Sequence, residues 1–129
     1  MDNSGNLESL VDIWITGIES GPDSEYVQEN WSVFERVLLM NGKPNELWQF
    51  IVMVYPRLNS QRNKAVFAAG PLEDLVSTHG EQYLGKIEEL ARKDEEFRYL
   101  LGGVWQANTP AHIWSRFEKI RGKSWDDDE

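Results

Sequence analysis

The sequence predicts an all-α domain of six to eight short helices packed as antiparallel hairpins, an arrangement that extends to a short superhelical, helical-repeat-like stack. Three observations carry that expectation. Apolar residues recur at the three-and-four spacing of a helix face in segment after segment. Glycine, proline and capping residues punctuate those segments at their ends. No stretch alternates with period two between hairpin-turn signals, so little or no β-sheet is expected.

The first segment has the cleanest pattern. Leu7, Leu10, Val11, Trp14, Ile15 and Ile18 fall on one stripe, and Gly21 and Pro22 stop the helix after Ser20. Asp23 or Ser24 caps a second helix, whose Val27, Trp31, Phe34 and Leu38 share a stripe widened by Val33, Val37 and Met40, with Asn41 and Gly42 closing it. A third opens at Asn45 and runs over 46–55 with apolar side chains on nearly every face, which places it in the centre. Pro56 pushes Tyr55 towards extended geometry and ends it.

Residues 60–69 form a further helix, with Arg62 and Lys64 beside Ala65, Val66 and Phe67. Gly70 and Pro71 read as N-cap and first residue of the next, which carries Leu72, Leu75 and Val76 and ends at His79 and Gly80. Tyr83, Leu84, Ile87, Leu90 and Ala91 follow, and Asp94 caps a turn holding Phe97, Leu100 and Leu101 that Gly102 and Gly103 terminate. Thr109 and Pro110 start the last helix, whose Ile113, Trp114, Phe117 and Ile120 lie on one side and which Gly122 ends. Residues 1–124 therefore read as one helical domain, and 125–129 as an acidic flexible tail. Trp14, Trp31 and Trp48 recur every 17 residues, each two positions after an acid (Asp12, Glu29, Glu46), a spacing that reads either as a helix-plus-loop repeat or as coincidence.

At 129 residues the chain suits one domain, and 40% hydrophobic residues with six tryptophans supply a core that disordered sequences lack. The absence of cysteine excludes disulfides, thiolate catalysis and cysteine-based zinc sites. The first seven residues carry no basic n-region and no apolar h-region, and the densest apolar stretch, 47–55, is too short to span a bilayer. A cytoplasmic address is the expectation.

The net charge of −9 is unevenly spread. Residues 1–35 hold eight acids and no lysine or arginine, and 126–129 are all acidic. Residues 36–125 hold ten acids against thirteen basic residues. Such a field repels nucleic acid and anionic lipid at the N-terminal surface and attracts a basic partner.

The stretch Ala68-Ala69-Gly70-Pro71-Leu72-Glu73-Asp74-Leu75, followed by His79-Gly80, Ile87-Glu88, Ala91-Arg92, Phe97-Arg98 and Leu100-Leu101-Gly102-Gly103-Val104-Trp105, resembles a small bacterial family of unknown function over about the second half of the chain. The resemblance implies a helical fold and a bacterial source, and it supplies no catalytic residues.

Catalytic signals are sparse. The two histidines, His79 and His112, come with no nucleophile elbow, and His79 before Gly80 suits a helix C-terminus. Glu73 and Asp74 with His79 form the one acid-base or hard-metal candidate, although their spacing fits no zinc or EF-hand template and the two carboxylates equally complement a helix dipole. No phosphate-binding glycine motif occurs, and the basic residues Arg57, Arg62, Lys64, Arg92, Lys93 and Arg98 are interleaved with acids and lack a nucleic-acid motif. Trp105, after the Gly102–Gly103 pair, is either core or a contact residue.

The resulting expectation is a non-enzymatic interaction module without cofactor or metal, a candidate immunity or antitoxin-type binder of a basic partner protein, engaging neither nucleic acid nor membrane. Its contact residues are Asp12, Glu19, Asp23, Glu25, Glu29 and Trp105. The rival is a small enzyme or metal-dependent protein using Glu73, Asp74 and His79. Self-association through surplus aromatics is a third reading.

Overall fold

A computed structural model describes residues 3–128, in which eight α-helical segments and no strand are found. They are α1 (Asn3–Ser20), α2 (Glu25–Glu29), α3 (Trp31–Leu39), α4 (Pro44–Val54), α5 (Gln61–Phe67), α6 (Glu73–Lys93), α7 (Glu95–Leu101) and α8 (Ala111–Arg121). The all-α expectation therefore holds. Glu129, the end of the expected tail, lies outside the described residues.

α4 is the axis of the core, as its all-round apolarity implied. Phe50, Ile51 and Val54 are wholly buried. Trp14 of α1 meets Phe50 edge-on at 5.5 Å between ring centres, while Trp48 and Tyr55 approach Phe97 of α7 at 6.2 and 5.1 Å. α1 packs on α3 and α4, and α6 packs on α4, α7 and α8, so the two long helices frame the central one.

Several boundaries depart from the sequence reading, each for a local reason. The second predicted helix is broken in two at Asn30, whose side-chain amide donates to the Tyr26 carbonyl at 2.9 Å. Its backbone N–H donates to the same carbonyl at 3.1 Å, and the break falls at Asn30 itself, whose φ −110°, ψ 22° leave the helical region. Ser24 caps α2 as expected, its hydroxyl accepting from the Val27 amide. α4 starts two residues early, with Lys43 as its cap and Pro44 at its first position. Asn45, freed from capping, accepts from the Tyr83 hydroxyl. Tyr55 is helical, not extended, because α4 tightens into a 3-10 turn over Tyr55–Arg57 and only Leu58 is extended.

The expected start at Gly70 and Pro71 is absent. α5 continues through a π turn, Ala68–Leu72, straight into α6. The wider turn accommodates a proline ring that an α-turn rejects. Likewise the expected end at His79 is a kink inside α6, where His79 adopts φ −126°, ψ 19° and its Nε2 lies 2.5 Å from the Asn41 carbonyl oxygen. Gly80 beside it lets α8 approach, since a Cβ there would stand 2.5 Å from the Ile113 side chain. Asp94 caps α7, and Gly122, at φ +73°, ends α8. The cap of α8 falls on Pro110, one residue later than expected, and Thr109 is buried.

The first residue of the expected tail, Trp125, packs on the helical body. Trp125 donates its indole N–H to the Tyr99 carbonyl at 2.8 Å and lies over Gly102 and Gly103, where a Cβ on either would meet the ring within 3 Å. Two glycines that read as a helix stop therefore also form the seat of an aromatic side chain. The 17-residue spacing does not mark equivalent positions, because Trp14 is buried, Trp48 partly buried and Trp31 53% exposed.

One polar contact ties α4 to α7. The Tyr55 hydroxyl donates to Asp94 Oδ2 at 2.6 Å. That bond holds the Asp94 carboxyl below its ordinary range, and burial together with Asp94 pushes the Tyr55 hydroxyl up to about 12. A depressed carboxyl stabilises the fold above its unfolded value and loses that contribution as pH falls through its folded value. A raised phenol loses its contribution between pH 10, the ordinary value, and about 12. Tyr55→Phe should cost about 1 kcal/mol near neutral pH. Urea unfolding of this variant should depend less on pH than wild type both below about pH 4 and above about pH 10.

Candidate functional site

Among the described residues, three of the exposed large apolar side chains come from α3. The break at Asn30 changes the phase of the following turns, so that Val37 and Met40 face the core while Trp31, Leu38 and Leu39 are 53%, 61% and 67% exposed. The sequence stripe had placed Trp31 and Leu38 inward, together with Phe34, on the assumption of one unbroken helix. Beneath the exposed residues, Gly17 of α1 lacks a Cβ at the point where the Phe34 ring presses on the helix, and any side chain there would overlap that ring. Phe34 is thus drawn against α1, and the space beside it remains open.

The result is an apolar groove between α1, α3 and α5. It consists of two adjoining hollows of about 350 and about 220 Å³ that share Trp14, Trp31, Phe34 and Val66. Ile18, Pro22 and Val27 extend one end, and Gly70 and Pro71 of the π turn extend the other. Val66 is itself 39% exposed. Isolated exposed apolar residues are ordinary, but a contiguous set lining a concavity marks a place where another surface fits.

Charge around the groove is one-sided. Glu19, Asp23, Glu25 and Glu29 are exposed, each stands within two residues of a groove-lining side chain, and among the described residues none has a cation within 4 Å. Arg62 is the one basic lining residue, and it is occupied in donating to the Ile18 carbonyl at 3.1 Å. Asp12 differs from the other acids in having a partner, Arg57 at 2.6 Å. Both side chains are about half exposed or more, so the pair adds little stability, but it does neutralise Asp12 as a docking charge.

At the π-turn end, Asp74 lines the smaller hollow. Burial pushes its carboxyl above the ordinary range, and burial followed by the nearby Asp74 charge does the same to Glu73. The hollow holds Asp74 but neither Glu73 nor His79. His79 lies at the kink, engaged with the Asn41 carbonyl. The three residues of the enzymatic alternative therefore do not converge, and among the described residues no group of three or more potential ligands is placed to hold a metal ion.

Trp105 is 68% exposed, which resolves its two readings in favour of a surface residue. It lines a separate cavity with Trp114 and Trp125 that shares no residue with the groove, so the structure does not join it to the acidic helices. The sequence reading missed Leu38, Leu39 and Val66. A signal for the first two was present: the unbroken run Val37-Leu38-Leu39-Met40 covers more faces than one helix can bury against a single core.

The chain matches a family of unknown function, DUF6869, over residues 19–125, and belongs to it. No curated protein and no solved structure matches the chain. No helix among the described residues is long and apolar enough to cross a membrane.

An acid whose folded pKa is raised favours the native state once protonated, and that contribution is lost as pH rises through the folded value. Asp74 is thus a cost at neutral pH. Asp74→Asn should raise the thermal midpoint at pH 7 and narrow its advantage over wild type as pH is lowered towards 4. A lower midpoint at pH 7 would show that the Asp74 charge is compensated in the native state.

Proposed function

We propose that this protein is a non-enzymatic interaction module of the bacterial cytoplasm, which seats a basic, amphipathic helical segment of a partner protein in the groove between α1, α3 and α5. An immunity or antitoxin role, in which the segment belongs to a basic effector, is the biological form we infer for it. The observation that carries this reading is the coincidence of an open apolar groove with four exposed acids that have no cation within 4 Å among the described residues. Apolar anchors at helical spacing would enter beside Trp31, Phe34 and Val66, and lysines or arginines flanking them would meet Glu19, Asp23, Glu25 and Glu29. The paired Asp12 is outside this set.

The arrangement divides the work physically. Desolvation of the apolar floor supplies affinity, whereas the rim charges raise the association rate and reject acidic partners. A salt bridge on a wet rim contributes little by itself, so removing a single acid should be nearly silent and removing all four should not.

The test uses two synthetic amphipathic helical peptides with identical leucine positions, one bearing lysine and the other glutamate on its polar face. Fluorescence anisotropy should show saturable binding of the lysine peptide, at least about tenfold tighter than the glutamate peptide, weakening as salt rises. The fourfold replacement of Glu19, Asp23, Glu25 and Glu29 by Lys should reverse the preference. Val66→Asp should abolish binding of the lysine peptide even though it adds negative charge. If Val66→Asp binds the lysine peptide as tightly as wild type, attraction is purely electrostatic and the groove has no part in it.

A further inference from the structure

A further cavity lies towards the C-terminal end of the chain and has a different chemistry from the groove. It measures about 370 Å³ and is lined by Arg98 and Tyr99 of α7, Arg121 at the end of α8, and Lys123, Ser124 and Trp125 beyond it, with Glu95 the one acid among the described residues that line it. Its volume falls in the range of small-molecule sites. One wall is aromatic: the Tyr99 and Trp125 rings lie 5.3 Å apart, inclined by 33°. Trp125 is fixed there by its bond to the Tyr99 carbonyl, and Tyr99 is fixed at its hydroxyl by Gln61 at 3.0 Å.

The cationic side is equally fixed in place. Arg98 donates Nε–H to the Arg121 carbonyl at 3.2 Å, and its guanidinium crosses the backbone at Gly122, where a Cβ would stand 2.6 Å from Nη2. Gly122 therefore has two reasons to be glycine, its positive φ and this approach. Among the described residues, the terminal nitrogens of Arg98 have no acceptor and no carboxylate within 4 Å. Arg121 is held beside it over the Trp114 ring at 5.0 Å, with its Nε buried and without an acceptor. A guanidinium oriented through Nε and open at both terminal nitrogens presents the fork that carboxylate and phosphate oxygens accept in bidentate fashion.

We propose that this cavity is a binding site for a small aryl oxyanion, with the carboxylate or phosphate on the Arg98 fork and the flat apolar body against Tyr99 and Trp125. The wall excludes water from one side of the ion pair, which strengthens it relative to the same contact in bulk solvent. The site is independent of the groove, with which it shares no residue.

The experiment is a nuclear magnetic resonance titration of the full chain with benzoate, phenyl phosphate and inorganic phosphate, following the arginine Nε–H and tryptophan indole N–H signals, with Trp125→Phe assigning the Trp125 indole. At least one aryl probe should saturate, moving the Trp125 and Arg98 signals together, and should bind at least about tenfold more tightly than inorganic phosphate. The tighter of benzoate and phenyl phosphate identifies the head group. Arg98→Gln should weaken that probe at least about tenfold, and Tyr99→Leu should remove its advantage over inorganic phosphate, so either variant serves if the other fails to fold. Absence of saturation by both aryl probes, an unchanged affinity in Arg98→Gln, or inorganic phosphate binding as tightly as phenyl phosphate would overturn the proposal.

Discussion

The break in the chain at Asn30 decides what the N-terminal half presents to solvent. The Asn30 backbone leaves the helical region, at φ −110°, ψ 22°, while its backbone N–H and its side-chain amide both donate to the Tyr26 carbonyl, at 3.1 and 2.9 Å. α2 ends there and α3 restarts at Trp31. Val37 and Met40 then fill the interior, and a tryptophan and two leucines are left outside. The groove follows from that break, together with the missing Cβ at Gly17 that brings Phe34 onto α1.

The class of fold was legible in the sequence because period, caps and breakers agreed over most of the chain. The first stripe, the central position of α4, the caps Ser24 and Asp94 and the stops at Gly21 and Gly122 are all local features, and they appear where local rules place them. Prolines were harder to read. Pro56 and Pro71 both signalled a boundary, and in both cases the chain changed helix type and continued, as a 3-10 turn at Tyr55–Arg57 and a π turn at Ala68–Leu72. A missing N–H is tolerated where the hydrogen-bond spacing itself changes, and no periodicity rule registers that. The groove was not legible, since it depends on the backbone of one residue, Asn30, leaving the helical region and on which side chain packs against Gly17.

Charge segregation along the sequence survived folding only in part. Arginine and lysine are absent from residues 1–35, so acids there find cations only where a later helix brings one across. Arg57 does so for Asp12, and Arg36 is instead spent on Glu46. Four further middle cations serve other groups: Arg92 and Lys93 pair with acids one turn away on α6, Arg62 serves a carbonyl, and Lys64 lies over the Tyr99 ring. Glu19, Asp23, Glu25 and Glu29 keep their charge because α1 and α2 carry no cation and the cations of α3 and α5 are engaged elsewhere.

The family match separates the two surfaces in a way that bears on their roles. It covers residues 19–125 and so excludes the part of α1 that supplies Trp14, Gly17 and Ile18 to the groove. By contrast, every residue lining the Arg98 cavity lies inside it, up to and including Trp125. Trp125 is also the side chain that explains Gly102 and Gly103, because neither could bear a Cβ beneath its ring. A glycine pair, an aromatic side chain 22 residues after the second of them, and an arginine resting on Gly122 constitute one assembly that requires all its parts at once. The groove requires residues on both sides of the boundary. The C-terminal cavity is accordingly built from residues inside the family match, whereas the groove combines matched residues with Trp14, Gly17 and Ile18, which precede it.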